Sequence, residues 1–334
     1  MLAHSLASST RQGYRSAVKS VSEFCRKHGM RLSLPISADT LCLWVAYSAS
    51  RLTYKTIRVY LHGIATTHVE LGYANPLESG GTVWRMYTGV KRLQGHSVAR
   101  TRLPITVEIL EQLERWQDVT TVDGRLLRAA MWLGTCGLLR SGEFASRGRD
   151  SVILRRDDLV FVDDEGTESP LPLTKDTLSH IKLRLRQSKT DPFRRGVDVI
   201  VSQRRAMAAM LHYLTVVPSL GADDPLFLMS SGRELTVSTL VSVTQALLSR
   251  AGIANAELYK GHSFRRGGAT SLHLAGLPDT TIKAMGRWRS FAFAAYVDTP
   301  LTQLIEAGLT LSAREGKGKC VTFGPQAWKT PVWE

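Results

Sequence analysis

The chain is poor in the features that mark secreted, membrane or metal-binding proteins. Its 334 residues contain four widely scattered cysteines, with no CxxC pair and no zinc-ligand spacing. No run of about 18 apolar residues predicts a membrane span, and the first residues lack the apolar core of a secretory signal. We therefore expect a reduced, intracellular protein without a metal ion, located in the nucleus of a eukaryote or in the nucleoid or cytoplasm of a bacterium.

Several common catalytic motifs are also missing. The sequence contains no GxSxG, no HExxH, no Walker motif and no GxGxxG after a strand pattern. The chemistries that these motifs carry are therefore not indicated.

Acidic residues are scarce in the first third of the chain. Residues 1–103 hold 14 lysines and arginines but only four acidic residues, so +10 of the formal net charge of +14 belongs to this third. Strong positive charge is typical of nucleic-acid binding, although membrane surfaces and acidic proteins attract the same charge. We expect a separate basic domain over residues 1–98 and a basic linker over residues 99–103.

The basic domain has a helical pattern. Apolar residues recur at spacings of three and four from Tyr14 to Cys25 and from Ile57 to Leu71, which predicts two amphipathic helices, from Ser9 or Thr10 to about His28 and from about Thr53 to Leu71. Basic side chains on the other faces of these helices, unless they form merely solvated faces, and those of the basic segment at residues 89–103 are candidates for DNA contacts. The candidates are Arg11, Arg15, Lys19, Lys55, Arg58, Lys91, Arg92, Arg100 and Arg102.

The pattern changes after the linker. We predict a helix from Pro104 through Trp116, a buried helix over residues 125–139 that ends with Arg140, and strands over residues 159–162, 180–187 and 197–201. The fold class is therefore mainly α. It comprises an all-α first domain, an α+β domain with a small antiparallel sheet over residues 104–312, and a tail over residues 313–334.

The string GHSFRRGGAT at residues 261–270 is the strongest local signal. His262 and Arg265 stand three residues apart, so at the start of a helix they share a face, and the following glycines permit close backbone approach. Other basic residues lie at predicted structural corners, and one tyrosine, Tyr296, follows all of them.

The ordered set resembles the active site of the tyrosine recombinase (phage integrase) family, which reads Arg, Lys, His-x-x-Arg, His or Trp, and Tyr. The matching residues here are Arg140, Lys189, His262, Arg265, Trp288 and Tyr296. Residues 1–90 resemble the family's core-binding domain and residues 104–310 its catalytic domain, which implies a C-shaped clamp on duplex DNA. GHSFRRGGAT and SKTDPFRRG look most like the eukaryotic Crypton and DIRS-like recombinases. Trp288 precedes Tyr296 by eight residues, one fewer than the family's spacing.

The residue types suit attack on a phosphodiester. Because the phosphodiester is anionic, cleavage without a metal needs fixed positive charge, and the Arg140 and Arg265 forks can clamp its non-bridging oxygens. Tyr296 is the candidate nucleophile. His262 is a candidate to accept the tyrosine proton or to hold the phosphate.

Three further residues have supporting roles in this interpretation. Lys189 is the candidate general acid for the leaving 5′ oxygen, with Lys182 as its nearest competitor. Trp288 can donate its indole N–H to the phosphate. Glu143 is expected to orient either Arg140 or His262.

The resemblance implies a site-specific DNA recombinase that forms a 3′-phosphotyrosyl intermediate and a Holliday junction. It implies no ATP and no metal, double-stranded DNA as the partner, self-association into a dimer or tetramer on DNA, and a role in mobile-element integration or excision. Two alternatives stay open: a non-cleaving DNA-binding regulator derived from a recombinase, and a type IB topoisomerase-like relaxing enzyme.

Overall fold

The chain forms two compact units, Met1–Arg100 and Thr101–Glu334. The computed structural model describes residues 6, 8–77, 81–95, 102–148, 151–170, 177–187, 195–217, 221–289, 294 and 305. No helix in these ranges is long and apolar enough to cross a bilayer. The predicted tail, residues 313–334, lies outside them.

The described part of the first unit is helical. Its helices are α1 (Ser8–Lys27), α2 (Ala38–Ala49), α3 (Tyr54–Glu70) and α4 (Thr82–Gln94). Their apolar faces meet in a core around the fully buried Trp44. Thr53 accepts a hydrogen bond from the Thr56 backbone N–H, so it caps α3 instead of opening it. Both predicted amphipathic helices are confirmed to within two residues.

The second unit combines helices with a small four-stranded sheet. Its elements are α5 (Val107–Glu114), α6 (Val122–Cys136), α7 (Ser141–Phe144), β1 (Leu159–Asp163), β2 (Glu168–Ser169), β3 (Leu178–Leu185), β4 (Val197–Val201), α8 (Arg204–Leu214), α9 (Val237–Arg250), α10 (His262–Leu274) and α11 (Asp279–Met285). The sheet is antiparallel, in the order β2-β1-β3-β4. The predicted fold class, mainly α with a small antiparallel sheet, is confirmed.

Two of the predicted boundaries were wrong in detail. Strand β3 ends at Leu185 because Arg186 leaves the sheet to pair with Asp157 and Asp158. Helix α5 ends at Glu114, so Trp116 lies beyond it, 44% exposed, with the Arg250 guanidinium 5.5 Å from its ring centroid.

The predicted end of the buried helix was also wrong, and this change shapes the functional site. Helix α6 stops at Cys136, and Leu138 takes a left-handed backbone with φ +46°. The Leu139 N–H donates a hydrogen bond to the Gly134 carbonyl at 2.9 Å, and the Leu138 N–H donates one to the Thr135 carbonyl at 3.2 Å. This pair of bonds is a Schellman motif, with leucine at the position where glycine is usual. Burial of Leu138 in a small apolar cluster opposes the cost of this backbone. Arg140 consequently caps α7 instead of ending α6.

Candidate functional site

Helix α10 begins directly against α7. A Cβ atom on Gly261, the residue before α10, would lie 2.4 Å from the Ser141 hydroxyl oxygen, so only glycine permits this approach. The contact brings His262, the first residue of α10, to the element that Arg140 caps.

Helix α10 also lies against backbone on its inner side. A Cβ atom on Gly267 would lie 1.7 Å from the Ile105 carbonyl oxygen, and one on Gly268 would lie 2.1 Å from the Thr135 carbonyl oxygen. The predicted close backbone approach at these glycines is confirmed. The orientation of α10, and with it the placement of its polar residues, is therefore fixed by the core.

Arg265 is almost completely buried, with 1% of its surface exposed. Its guanidinium donates hydrogen bonds to the carbonyl oxygens of Leu138 and Gly286. The Trp288 ring centroid lies 4.3 Å from the guanidinium carbon, a cation–π contact. Trp288 is predicted to bind phosphate, and the contact that the structure describes for its ring is with Arg265.

Glu143 holds Arg140 by two hydrogen bonds. Its Oε1 accepts from Arg140 Nη1 at 2.9 Å, and its Oε2 accepts from the Arg140 backbone N–H at 2.8 Å. The carboxylate is 7% exposed, so the ion pair is poorly screened by water. Of the two partners considered for Glu143 from the sequence, the described contact is with Arg140.

Arg287 is a further arginine of this cluster, and sequence reasoning missed it. Its Nη2 donates to Glu143 Oε2 at 2.9 Å and to the Leu138 carbonyl at 3.2 Å. Its side chain is 10% exposed, and its backbone has φ +57°. The available signal was the spacing to Tyr296. Trp288 precedes Tyr296 by one residue fewer than the family's spacing, and Arg287, one residue earlier, restores that spacing.

Burial and the surrounding positive charge both disfavour protonation of His262. Burial lowers the pKa of this imidazole from its ordinary value of 6.5, and the positive charges of the four nearby arginines lower it further. These arginines are Arg102, Arg147, Arg265 and Arg140. Both effects favour the neutral imidazole, which is the form that can accept a proton.

A groove of about 1130 Å³ opens beside His262. Its charged lining residues are Arg102, Arg147, Lys260 and Glu234, and the rest of the wall includes serines, a threonine, a glutamine, two valines and two glycines. An excess of cations and hydroxyl donors suits a phosphate backbone. Arg147 and Lys260 were not selected from the sequence, because isolated loop cations have no periodicity to distinguish them.

Two residues of the predicted set lie outside the described residues. They are Lys189, between β3 and β4 in the sequence, and Tyr296. Lys182, the competitor of Lys189, lies on β3 and pairs with Glu168. In the described ranges, no group of three or more His, Cys, Asp or Glu side chains is placed to hold a metal ion.

The predicted DNA-contact residues are mostly exposed. Arg100 lies outside the described residues, and Arg11 is half-buried. Exposed are Arg15, Lys19, Lys55, Arg58, Lys91, Arg92 and Arg102. Lys19 forms a salt bridge of 3.7 Å with Glu23, so its charge is partly offset.

Several solved structures similar to this chain are complexes with DNA. No family model matches the sequence. The chain is 23% identical over 301 residues to an integrase/recombinase XerD homolog of Selenomonas ruminantium, a match that covers 86% of this chain and 81% of that protein. Among solved structures, XerH recombinase in a post-cleavage complex with palindromic difH substrate gives a TM-score of 0.62 at 16% identity, over 90% of this chain and 79% of the other.

The Tn1549 transposon integrase bound to transposon right end DNA gives a TM-score of 0.57 at 14% identity, over 92% of this chain and 95% of the other. The chain has the tyrosine recombinase fold. A lambda integrase dimer bound to a core site is also similar, with a TM-score of 0.51 at 12% identity, over 88% of this chain and 72% of the other. These relatives support the predicted tyrosine recombinase/integrase resemblance, whereas the Crypton and DIRS-like affinity stays a prediction.

Proposed function

We propose that the chain is a site-specific DNA recombinase that cuts and rejoins duplex DNA through a covalent tyrosine intermediate. The observation that supports this most is the pair of fixed guanidinium groups, Arg140 and Arg265, beside the neutral imidazole of His262. Buried, pre-oriented cations stabilise charge that grows on a phosphate in the transition state, and they need no reorganisation when it grows. The DNA complexes of proteins with the same fold support the same substrate.

The reaction follows from the proposed roles. The Tyr296 oxygen attacks phosphorus, its proton passes to His262, and the bond from phosphorus to the 5′ oxygen breaks as Lys189 supplies a proton to that oxygen. The products are a 3′-phosphotyrosyl bond and a free 5′-hydroxyl. Attack by a 5′-hydroxyl from a partner duplex releases Tyr296 and leaves a Holliday junction. Lys182 is a weaker candidate for the general acid because it is paired with Glu168.

The basic first unit is proposed to supply most contacts with the DNA backbone, since it holds most of the excess positive charge. We further propose that the protein assembles on DNA as a dimer or tetramer and serves integration or excision of a mobile element. The similarity to a transposon integrase and to a lambda integrase dimer supports this context.

The decisive experiment is covalent capture. The full chain is incubated with a pool of nicked duplexes of random sequence, and adducts are isolated on a denaturing gel, sequenced, and mapped by tryptic mass spectrometry. Wild type should form an adduct at Tyr296, and Tyr296→Phe should form none. Tyr259→Phe is the matched control, because Tyr259 is 6% exposed and burial raises the pKa of its phenol.

Other outcomes would refute the proposal. An adduct that persists in Tyr296→Phe, or that maps to another residue, removes the assigned nucleophile. DNA binding by the wild type without any adduct favours the regulator. Relaxation of supercoiled plasmid without a preferred site favours the topoisomerase-like alternative.

A further inference from the structure

Three guanidinium groups of the site share two acceptors. The Leu138 carbonyl accepts from Arg265 and Arg287, and the Glu143 carboxylate accepts from Arg140 and Arg287. Arg287 is therefore the link between the other two arginines.

The charges in this network do not balance. Its three arginines carry three positive charges, and Glu143 carries one negative charge. Arg265, Arg287 and Glu143 are each at least nine-tenths buried, so solvent screens the excess poorly. Burial lowers the pKa of Arg287. The Glu143 carboxylate raises this pKa, and the Arg140 charge lowers it. A cluster of this kind is stabilised by an anion.

Arg287 also has buried donors to offer. Its Nε and Nη1 atoms are shielded from solvent and have no hydrogen-bond partner in the described part of the chain. Buried N–H groups of an ionised side chain are costly unless an acceptor meets them. The left-handed backbone at Arg287 is a conformation that non-glycine residues rarely hold, and such strain is concentrated at ligand sites.

We propose that Arg287 is a third phosphate ligand of the site, which donates from Nε and Nη1 to a non-bridging oxygen of the scissile phosphodiester while Glu143 holds Arg287 and Arg140 together. This assignment rests on the proposed function for the identity of the phosphate. Trp288, the neighbouring residue, then acts through its ring contact with Arg265.

Inorganic phosphate tests the assignment without a known DNA target. Its affinity for the full chain is measured by calorimetric titration at constant ionic strength, for wild type and Arg287→Gln. Glu143 keeps Arg140 as its counterion in this variant, so we expect it to fold. Phosphate should bind Arg287→Gln about tenfold to a hundredfold more weakly, as expected when hydrogen bonds to a charged group are lost. Arg289→Gln is the matched control, since Arg289 is exposed two residues away.

An unchanged phosphate affinity in Arg287→Gln, or no phosphate binding by the wild type, would overturn the assignment. If Arg287→Gln does not fold, Arg287→Lys takes its place. Lysine keeps the charge but not the fork of donors, so weaker phosphate binding by about threefold or more supports the assignment, and equal binding overturns it.

The covalent-capture experiment separates this proposal from the proposed function. If Arg287→Gln captures nicked DNA at the wild-type rate, Arg287 is not a ligand of the scissile phosphate and only this inference fails. If phosphate binding depends on Arg287 but wild type captures no DNA, the anion site stands and the recombinase proposal fails.

Discussion

The Glu143 carboxylate should determine the stability of the second unit far more than an average surface acid. Glu143→Gln keeps the side-chain size but replaces one oxygen with an NH₂ group that faces an arginine donor. Three hydrogen bonds of 2.8–2.9 Å, one from a backbone N–H and two from guanidinium groups, depend on the two carboxylate oxygens. At least one of them is lost, and two arginines lose their counterion.

Removal of one partner from a buried ion pair costs about 3–5 kcal/mol. Because 21% of the Arg140 side chain is exposed, water partly screens that end of the ion pair, and we expect a loss at the lower end, about 3 kcal/mol of unfolding free energy. In a unit of this size, 1 kcal/mol corresponds to about 2–4 °C in Tm, so the second unit should melt about 6–12 °C lower.

The assay is differential scanning calorimetry of the full chain at pH 7, with Glu165→Gln as the control. Glu165 is exposed in the turn between β1 and β2, so its replacement makes the same charge change without the contacts. Excess phosphate should restore part of the lost Tm in Glu143→Gln, because a bound anion returns negative charge to the arginines. A variant that melts within about 2 °C of wild type would refute the claim that the carboxylate holds the arginines together.

Three further predictions concern α10, the His262 imidazole and the exposed cations of α3. Gly267→Ala should cost roughly 3 kcal/mol or more, since its methyl group would overlap the Ile105 carbonyl; a melting curve like that of wild type would contradict this. The pKa of the His262 imidazole, measured by NMR, should lie below 6.5 and should rise when phosphate binds. The free energy of unfolding should fall as pH drops below 6.5, because the folded state disfavours the protonated ring. A titration midpoint above 6.5 would exclude this reasoning. Replacement of Lys55 and Arg58 with Gln should reduce the slope of log DNA affinity against log salt by up to about two, whereas an unchanged slope would argue against contacts from α3.

The regular elements of the chain could be predicted because their apolar periodicity decides which face is buried. Helix α3 and strands β3 and β4 are examples, since each has a local pattern that matches its burial. The ends of elements were harder. The stop of α6 at Cys136 depends on burial of Leu138 against residues of α10 and α11, which are distant in the sequence.

The candidate site was partly visible for the same reason. The string around His262 and Arg265 is local, and the structure places both residues at the predicted start of a helix. Arg287 was missed because a single arginine in a turn has no periodic pattern, and its spacing to Tyr296 was the one sequence signal. Its contacts with Glu143 and Leu138 are what give it a role. The dual use of Glu143 likewise depends on the tertiary fold.

The Leu138 carbonyl has a consequence for how the site tolerates mutation. This acceptor gathers Arg265 and Arg287, and it belongs to the main chain. No substitution at position 138 can remove the carbonyl, so a substitution there can affect the site only through backbone conformation and packing. Asparagine and glycine adopt the left-handed backbone most readily, and they would preserve the acceptor while they weaken the apolar cluster around it. One of the two acceptors shared by the arginines is therefore a main-chain group whose position depends on the course of the backbone. Inspection of residue identities alone would not detect it.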